Sequence, residues 1–456
     1  MVKKLMFDNK KILILGMARS GYEAAKYLSK FNNTIILNDG GSRDKQDQDK
    51  LKELESLGVT LIFDSHPDDL LDNRFDYVIK NPGIRNDHKY VLKAKELGIP
   101  VINEAEMAYR LLPDDVTLIG ITGTNGKTTT TTLTYEMIKK SGKIVHLAGN
   151  IGYPLCSFLE KLESGDIIVM EVSCQQLANM DKFNPHITLM TNLSEAHIDF
   201  FGSYDLYKKV KLKLFKNQRD DDIAILNIEN DEVMKGTTDI KSNVKYFSSK
   251  REINGAYMLD NKLYYYNECI MDRDEFLLKG NHNVENALGA MMIAKEVGVD
   301  NESIVSVLKT FTGVRHRLEF IDRVNGVDYY NDTEATNTKC TQIALSAFDK
   351  NVILILGGLE RGQDFHDLDS FINPVKEIVG IGECRDRVKE YGESVGIKTN
   401  AFEKLVDAMN YINTVVESGD TVLLSPASAS WDQYRQCEDR GDEFRDIIRS
   451  FKESEK

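Results

Sequence analysis

The chain has 456 residues, 41% hydrophobic and 29% charged, a composition typical of a globular protein with two to four domains. Its formal net charge of −14 argues against a nucleic-acid partner, because no net positive field would gather phosphates. No apolar run approaches the ~18 residues of a membrane span, and charges interrupt the N-terminal segment where a signal peptide needs an apolar stretch. The six cysteines lack metal-ligand spacing, so we expect reduced thiols in the cytoplasm, without disulfides or structural zinc.

The segment 1–110 predicts a domain of the dinucleotide-binding α/β type. An apolar strand ends at Gly16, a helix follows from Tyr22, and a second strand begins at Thr34. Ligands of such folds bind at the carboxyl ends of the strands. The glycines Gly16 and Gly21 give the spacing G-x-x-x-x-G instead of the G-x-G-x-x-G of NAD sites, so we expect a nucleotide-sized anion without assigning NAD. A third strand ends at the Pro-Gly turn 80–84, which is an ordinary loop when taken alone.

A phosphate-binding loop is predicted where the second segment, 111–312, begins. The sequence GTNGKTT at 123–129 joins an apolar strand to a helix. Gly123 and Gly126 allow the backbone N–H groups to point inward, and the helix adds the positive end of its dipole. Lys127 would reach the terminal phosphates, and the Thr128 hydroxyl would bind Mg²⁺. The position five residues before Gly126 is not glycine, so the loop is a shortened variant, provisionally for a triphosphate.

Further polar residues follow the strands of this segment. Glu171 ends an apolar strand, where a carboxylate is placed to hold Mg²⁺. His197 follows another strand and by itself reads as a loop histidine. On the helix predicted from Tyr204 to Lys216, Lys211 shares a stripe with apolar neighbours and is expected to face inward. The stretch 237–275 predicts a small antiparallel appendage.

Two asparagines sit at the start of a later helix of the same segment. Asn283 and Asn286 lie one turn apart, where their amides can reach a base edge or a phosphate. Helix capping alone would account for one of them. The pair therefore extends the predicted nucleotide site beyond the phosphate loop.

The last segment, 313–456, again alternates strands and helices, and four apolar strands predict a mostly parallel sheet. Polar clusters follow these strands at 315–317, 331–337, 357–365 and 425–433. Strand ends are where open α/β sheets bind ligands, so we expect these clusters to form one functional face. The complete fold prediction is an α/β chain of three domains, with a dinucleotide fold, a P-loop-type central domain and an α/β C-terminal domain.

Motifs spread over nearly the whole chain resemble those of the Mur ligase family, and they occur in the family's order. They are GTNGKT at 123–128, GNIG at 149–152, EVS at 171–173, the run from Asn192 to Asp199, Y-x-x-x-K at 207–211, HNxxNA at 282–287, HRLE at 316–319, ND at 331–332 and SPAxAS at 425–430. The resemblance is greatest to the branch that adds D-glutamate to a UDP-linked muramoyl-alanine. It implies an ATP-dependent amide-bond ligase of peptidoglycan synthesis, and we expect a monomer.

The resemblance also implies roles for single residues. The phosphates of ATP would contact the loop, and two Mg²⁺ ions would use Thr128, Glu171, His197 and a carbamylated Lys211. The adenosine would lie against Asn283, Asn286, Arg317 and Asp332. The remaining site residues are implied to be as follows: for ATP phosphates, Gly123, Thr124, Asn125, Gly126, Lys127, Thr128 and Thr129; for UDP-N-acetylmuramoyl-L-alanine, Arg19, Ser20, Asn81, Gly83 and Asn150; for the free amino acid, Glu334, Thr336, Arg361 and Ser430.

The implied reaction has two steps. The muramoyl-alanine carboxylate attacks the γ-phosphate of ATP to give an acyl-phosphate, and the amine of the incoming amino acid then displaces phosphate. Both steps build negative charge on the transferring oxygens, which two Mg²⁺ ions and a lysine would neutralise. Lys127, His197 and Lys211 are therefore expected to be the catalytic residues.

Three positions depart from the family pattern. Glu334 stands where related ligases usually carry a lysine that pairs with a carboxylate of glutamate, Gln175 replaces a phenylalanine, and Cys437 lies where phenylalanine is common. Either Glu334 opposes the substrate, or it turns to solvent or pairs with a nearby arginine while Thr336, Arg361 and Ser430 hold the amino acid. The alternatives are a Mur-type ligase with another amino acid, a folylpolyglutamate-synthase-like ligase, which would lack the first domain, and a non-catalytic nucleotide-binding protein.

Overall fold

The computed structural model describes residues 3–278 and 280–453, and it has the mixed α/β architecture with three mostly parallel sheets that the sequence predicts. The chain divides into two compact units, Met1–Phe276 with Asn281–Lys309, and Leu277–Gly280 with Thr310–Lys456. Within the described ranges no helix is both long and apolar enough to cross a lipid bilayer.

The first sheet has five parallel strands in the order β3-β2-β1-β4-β5. Four of the five residues of its central strand are fully buried, as expected for a parallel sheet covered on both faces. The carboxyl ends of β1 and β4 carry a glycine turn and a Pro-Gly turn. Its elements are β1 (Lys11–Leu15), α1 (Arg19–Leu28), β2 (Thr34–Asn38), α2 (Gln48–Ser56), β3 (Thr60–Ile62), β4 (Tyr77–Lys80), α3 (Lys89–Glu96), β5 (Val101–Ile102) and α4 (Glu104–Tyr109).

The second sheet has nine strands in the order β14-β13-β12-β11-β10-β9-β6-β8-β7. Its centre is parallel, so the carboxyl ends of β6, β8 and β9 meet at one edge. Its elements are β6 (Thr117–Thr122), α5 (Lys127–Lys140), β7 (Val145–Gly149), β8 (Ile167–Glu171), α6 (Cys174–Ala178), β9 (Ile187–Met190), α7 (Ile198–Phe201), α8 (Tyr204–Lys211), β10 (Ile223–Asn227), α9 (Asp231–Gly236), β11 (Asn243–Ser248), β12 (Gly255–Leu259), β13 (Lys262–Tyr265), β14 (Glu268–Asp272), α10 (Asn281–Glu296) and α11 (Asn301–Thr310).

The stretch 237–275, predicted from its sequence to be a small antiparallel appendage, is confirmed only in part. The strands β12, β13 and β14 do pair antiparallel, but β12 also pairs in parallel with β11. The hairpins therefore extend the central sheet. Such a long-range parallel pairing leaves no local turn signal, which is why the sequence pattern did not predict it.

The third sheet has six strands in the order β15-β16-β20-β17-β18-β19, and only the pair β15/β16 is antiparallel. All six residues of β17 are buried. Its elements are β15 (Glu319–Val324), β16 (Val327–Asn331), α12 (Thr338–Leu345), β17 (Val352–Gly357), β18 (Val375–Ile381), α13 (Arg385–Ser394), β19 (Lys398–Phe402), α14 (Leu405–Val415), β20 (Thr421–Leu424) and α15 (Cys437–Glu453).

Candidate active site

Two glycines give the phosphate loop its shape. Gly126 precedes α5 with φ 78°, and Gly123 has φ 153°, both in the region that favours glycine. A Cβ at Gly126 would lie 2.2 Å from Oδ1 of Asn286, and a Cβ at Gly123 would lie 1.8 Å from Oγ1 of Thr191. Glycine is therefore required at both positions by sterics as well as by backbone conformation.

The segment after β9 holds this loop in place. The Asn125 N–H donates to Oδ1 of Asn192 at 2.9 Å, and the Thr191 hydroxyl donates to the Asn125 carbonyl at 2.6 Å. The Thr124 N–H donates to the Asn192 carbonyl at 2.9 Å, and its hydroxyl lies 3.0 Å from the Tyr207 hydroxyl. The loop thus has a fixed conformation, which favours binding of a defined anion over a flexible turn. Thr128 and Thr129 lie in the first turn of α5, half-buried.

Two lysines converge on the loop. Lys127 Nζ donates to the Thr124 carbonyl at 2.8 Å. Lys211, on α8, is 1% exposed, and its Nζ donates to the Gly123 carbonyl at 2.6 Å and to Thr122 Oγ1 at 3.2 Å. Burial, together with the positive charge of Lys127, lowers the pKa of Lys211 to about 7. The inward stripe predicted for Lys211 is therefore correct, although α8 ends at Lys211 and continues only as a 3₁₀ turn.

Glu171 lies at the end of β8 and is 1% exposed. Its Oε1 accepts a hydrogen bond from Asn150 Nδ2 at 2.7 Å, whereas its buried Oε2 has no hydrogen-bond partner. A buried carboxylate oxygen without a partner is costly unless a cation or a water completes it. This donor fits Mg²⁺, which prefers carboxylate oxygens and keeps several waters.

A cavity of about 610 Å³ joins the first two sheets of the larger unit. On the side of the first sheet the cavity is lined by Arg19, Ser20, Asn81 and Gly83. On the side of the second sheet it is lined by Lys127, Asn150, His197 and Lys211. Arg19 also donates to the Gly152 carbonyl at 3.3 Å across the cavity. Eight of the predicted site residues therefore lie on one surface. The cations that line this cavity, and the backbone N–H groups at the start of α5, favour an anionic ligand.

A second cavity, of about 360 Å³, lies beside the first and shares Ala18, Asn81 and Gly83 with it. It is lined by the ends of β1 and β2 and by two histidines, His66 and His88, whose rings meet edge to face. This is the strand-end position at which doubly wound sheets bind nucleotides. The two cavities therefore adjoin each other along the first sheet, and together they are called the trough below.

The asparagines of α10 contact each other and α5. Asn286 is 5% exposed, and its Nδ2 donates to Asn283 Oδ1 at 3.2 Å. Its Oδ1 accepts from the buried Thr130 hydroxyl at 3.3 Å. Asn286 thus packs against the helix that carries Lys127, beside Gly126. The structure brings Asn286 to the phosphate loop.

In the smaller unit, three charged residues meet beside a strained turn. His316 and Leu318 have φ of 66° and 43°, and this turn is bonded to the segment after β16. The Arg317 guanidinium lies 3.4 Å from the Glu334 carboxylate. Asp332 accepts from the Ser425 hydroxyl at 2.7 Å and from the Leu318 N–H at 3.0 Å. Burial raises the pKa of Asp332 to about 7.

The residues predicted for the amino acid follow three different strands of the third sheet. The Arg361 guanidinium stacks over the Trp431 ring at 4.6 Å and forms no ion pair with any described residue. Ser430 is 1% exposed, and its hydroxyl has no hydrogen-bond partner. The Thr336 N–H donates to the Glu334 carbonyl at 2.9 Å. The polar clusters after these strands are thus present, each on its own loop.

Comparison with known proteins gives the family. Residues 121–294 match the Mur ligase middle domain, and residues 316–428 match the Mur ligase glutamate ligase domain. The chain is 42% identical over 455 residues to the UDP-N-acetylmuramoylalanine--D-glutamate ligase of Lactococcus lactis subsp. cremoris (strain MG1363), covering 99% of this chain and 100% of that one. The chain belongs to the Mur ligase family. The Geobacillus sp. (strain WCH70) ligase of the same name is 40% identical, with the same coverage.

Solved structures agree with this Mur ligase at the level of fold. The UDP-N-acetylmuramate-alanine ligase of Thermotoga maritima has a TM-score of 0.58 at 18% identity, covering 98% of this chain and 100% of that chain. A MurF ligase of T. maritima, solved in complex with ADP, has a TM-score of 0.56 at 17% identity, covering 91% and 95%. The family and fold predicted from the sequence are both confirmed.

The departures from the family pattern form two local groups in this Mur ligase. Gln175 lines the larger cavity, where it accepts a hydrogen bond from the Cys174 thiol at 3.1 Å. Glu334, Cys437 and Glu438 cluster so that one ligand atom from each lies within 4.8 Å of the others. Burial raises the pKa of the Cys437 thiol to about 12, and the charge of Glu334 contributes. Two of the three unusual residues are therefore neighbours in space.

Two buried charged residues of this Mur ligase, Arg440 and Glu104, were not among the site residues predicted from the sequence. Arg440 is 1% exposed and donates to the carbonyls of Thr333, Gly357 and Ser428, which joins three loops of the third sheet. Arg440 and Phe444 lie four residues apart on α15, which is the spacing of one buried helix face. This spacing is the signal in the sequence from which the burial of Arg440 could have been predicted. Glu104, which lines the larger cavity, gave no comparable sign because its burial depends on contacts with Cys156.

Proposed function

We propose that this chain is an ATP-dependent ligase that adds D-glutamate to UDP-N-acetylmuramoyl-L-alanine in peptidoglycan synthesis. Full-length identities of 40% to 42% to ligases of that name support the substrates. The single observation that carries the chemistry is the cavity of about 610 Å³, which is lined by Arg19 of α1, Lys127 of α5 and Lys211 of α8. An anionic nucleotide-linked substrate and a phosphate donor would meet there.

The reaction we propose proceeds through an acyl-phosphate. The carboxylate of muramoyl-alanine attacks the γ-phosphorus of ATP, the bond to ADP breaks, and ADP leaves. The amine of the amino acid then attacks the acyl carbon, loses a proton, and expels inorganic phosphate. Lys127, held at the loop by the Thr124 carbonyl, would neutralise charge that develops on the transferring phosphoryl group.

Mg²⁺ would be held in this cavity by residues whose donors fit it. The unbonded Oε2 of Glu171, the Thr128 hydroxyl, His197 and a modified Lys211 are the ligands that we propose for two ions. When bound, the ions would supply charge neutralisation at the transferring oxygens. The Asn150 amide would keep Glu171 oriented through its bond to Oε1.

The modification of Lys211 follows from its burial. A lysine amine reacts with CO₂ only when neutral, and the product is a carbamate anion plus one released proton. Burial lowers the pKa of Lys211 to about 7, so a large fraction of the amine is neutral near neutral pH. A carbamate would replace a cation with an oxygen ligand suited to Mg²⁺. We propose that the working enzyme carries this carbamate.

The UDP-linked substrate would extend along the trough of the first sheet. Its diphosphate would lie near Arg19, Ser20 and the turn of Asn81 and Gly83, with the uridine toward the smaller cavity. Asn150 would contact the same substrate where the two sheets meet. For adenosine we propose Asn283, Asn286, Arg317 and Asp332. For the amino acid we propose Arg361, Ser430 and Thr336, because Ser430 offers a buried hydroxyl without a partner.

The organisation that we propose has three domains, 1–110, 111–312 and 313–456. The first domain and the second, apart from residues 277–280 and 310–312, belong to the larger unit. The separate sheets of that unit support the division. We further propose a cytoplasmic monomer. All six cysteines carry free thiols, which fits a reducing compartment.

One observation favours an alternative amino acid. Glu334 and Glu438 with Cys437 form an acidic cluster where the resemblance predicts a cation for glutamate. An amino acid that is less acidic or carries a positive group would suit this cluster better. The Arg361 guanidinium and the Ser430 hydroxyl favour D-glutamate instead.

The function is tested by leaving out substrates one at a time. Phosphate release from ATP should require UDP-N-acetylmuramoyl-L-alanine, D-glutamate and Mg²⁺ together, and mass spectrometry should find one added glutamate on the UDP product. ATP hydrolysis that is independent of the UDP substrate, or no hydrolysis with all components present, would contradict the proposal.

A further inference from the structure

Lys80 is a buried cation that the larger unit does not neutralise. It is the last residue of β4 and is 2% exposed. Its Nζ donates to the Ile84 carbonyl at 2.6 Å and to the Asn81 carbonyl at 3.4 Å, and it forms no ion pair with any described residue. A buried ammonium without a counter-charge is expensive, so such groups usually face an anion when the protein works.

The residues bonded to Lys80 line the cavities: Asn81 lines both, and Ile84 lines the smaller one. The turn Asn81–Ile84 closes with a bond from the Ile84 N–H to the Asn81 carbonyl at 3.0 Å. Asn81 lines both cavities and donates through Nδ2 to the Ser20 hydroxyl at 3.2 Å. Lys80 therefore lies beneath the turn where the substrate diphosphate is proposed to bind.

The positive charge of Lys80 acts on a histidine that lines the smaller cavity. The pKa of His88, which lines that cavity, is lowered by burial, and the charges of His66, Lys89 and Lys80 lower it further. The other titratable groups lining the trough are Asp39 and His66 in the smaller cavity, and Arg19, Glu104, Lys127, Cys174, His197, Tyr207 and Lys211 in the larger.

We propose that Lys80 is a positioning residue for the UDP-linked substrate: its buried positive charge attracts the diphosphate, and the substrate supplies the counter-charge that the protein lacks. This inference rests on the proposed function. It also explains why the turn holds the ammonium through carbonyls. The carbonyls fix the position of the cation without cancelling its charge, so the charge remains available to a ligand.

Substitutions separate the charge of Lys80 from its hydrogen bonds. Equilibrium binding of UDP-N-acetylmuramoyl-L-alanine would be measured for wild type, Lys80→Arg, Lys80→Gln and Lys80→Met, with the exposed Lys95→Met as control. Gln keeps a donor for the Ile84 carbonyl but lacks the charge. We expect Gln and Met to weaken binding about tenfold each, Arg to remain within about threefold of wild type, and the affinity for ATP to be unchanged.

The pH dependence of substrate binding gives a second readout, measured in wild type and compared with Lys80→Met. Burial lowers the pKa of Lys80 to about 8, so its charge in the free enzyme is lost as the pH rises through that value. Substrate affinity should therefore fall between pH 7 and pH 9 in wild type. In Lys80→Met this decline should be shallower, since Arg19 stays charged and the remaining groups are the same in both proteins.

The outcomes distinguish this inference from the proposed function. If wild type binds the UDP substrate and Lys80→Gln binds it equally well, with the same pH profile, Lys80 only supports the turn and the inference is overturned. If wild type does not bind the UDP substrate at all, the proposed function fails first.

Discussion

The cations at the proposed substrate sites of the two compact units have different partners. In the larger unit, Lys211 and Lys80 are buried and donate only to hydroxyl or carbonyl oxygens. In the smaller unit, Arg317 faces the Glu334 carboxylate and the Arg361 guanidinium stacks on an indole ring. The first arrangement leaves positive charge for a ligand, whereas the second satisfies part of it within the chain.

This difference indicates where the substrates contribute binding energy. A phosphate-binding face gains most from cations that are desolvated and not yet neutralised, because the ligand then meets an uncompensated field. In the smaller unit Glu334 lies beside Arg317, and Arg361 and Ser430 are the residues that we propose for the amino acid. Changes in the larger unit should therefore affect turnover far more than changes in the smaller one.

The largest expected effect is at the phosphate loop. Lys127→Ala should reduce turnover by about 10³-fold, because a positioned cation on the transferring phosphoryl group is lost while the fold persists. Lys140→Ala, at the exposed end of the same helix, is the matched control and should be nearly silent. Phosphate release measures turnover, and circular dichroism shows whether the fold persists. A fully active Lys127→Ala would remove the loop from the mechanism.

Lys211 tests the carbamate. Lys211→Ala should reduce turnover by about 10²-fold, and short carboxylates such as acetate or formate should restore part of it by replacing the missing oxygen ligand. Lys209→Ala, exposed on the same helix, should behave as wild type. Steady-state rates with and without added carboxylate decide the matter. Normal rates in Lys211→Ala would mean that the buried stripe is only packing.

Asp332 tests the smaller unit through stability. Its pKa is raised to about 7 from an unfolded value of ~3.9, so the unfolded chain releases this proton first and wild-type stability falls as the pH rises from about 4 to about 7. Asp332→Asn has no carboxyl to ionise, so at pH 8 we expect it to exceed wild type by roughly 1 to 3 kcal/mol, and at pH 4 much less. Urea unfolding followed by the single tryptophan, Trp431, reports this unit. A pH-independent difference would contradict the prediction.

Glu334 should give the smallest effect. Its ion pair with the half-exposed Arg317 is worth ~0 to 1 kcal/mol, so Glu334→Gln should raise the KM for ATP by at most about fivefold and leave the KM for D-glutamate unchanged. Glu438→Gln is the matched control within the same acidic cluster. Glu334→Lys separates the two alternatives left by the sequence: a gain of about tenfold in kcat/KM for D-glutamate would show that Glu334 opposes the substrate.

The features that the sequence predicts best are those whose residues are close together in the chain. The phosphate loop is one unbroken run of glycines, a lysine and hydroxyls, so its strand, turn and helix could be predicted together. Lys211 was predictable as a buried residue because its apolar neighbours recur at helical spacing. The three sheets followed from the alternation of apolar strands and helices.

Features that depend on pairing between distant segments could not be predicted in the same way. Lys80 ends an ordinary apolar strand, and only the packing of the turn after it makes the ammonium buried. Arg317 and Glu334 meet because β15 and β16 form a hairpin that aligns residues on either side of it. The parallel pairing of β11 with β12 likewise has no local pattern.

The most direct test of the whole account is a comparison of amino acids in one assay. Phosphate release from ATP would be measured with UDP-N-acetylmuramoyl-L-alanine and a panel of D- and L-amino acids that includes neutral and basic ones. We expect the highest kcat/KM for D-glutamate, with L-glutamate and basic amino acids far below it. A neutral or basic amino acid with a higher kcat/KM than D-glutamate would contradict the assignment and show that the acidic cluster around Glu334 sets the specificity.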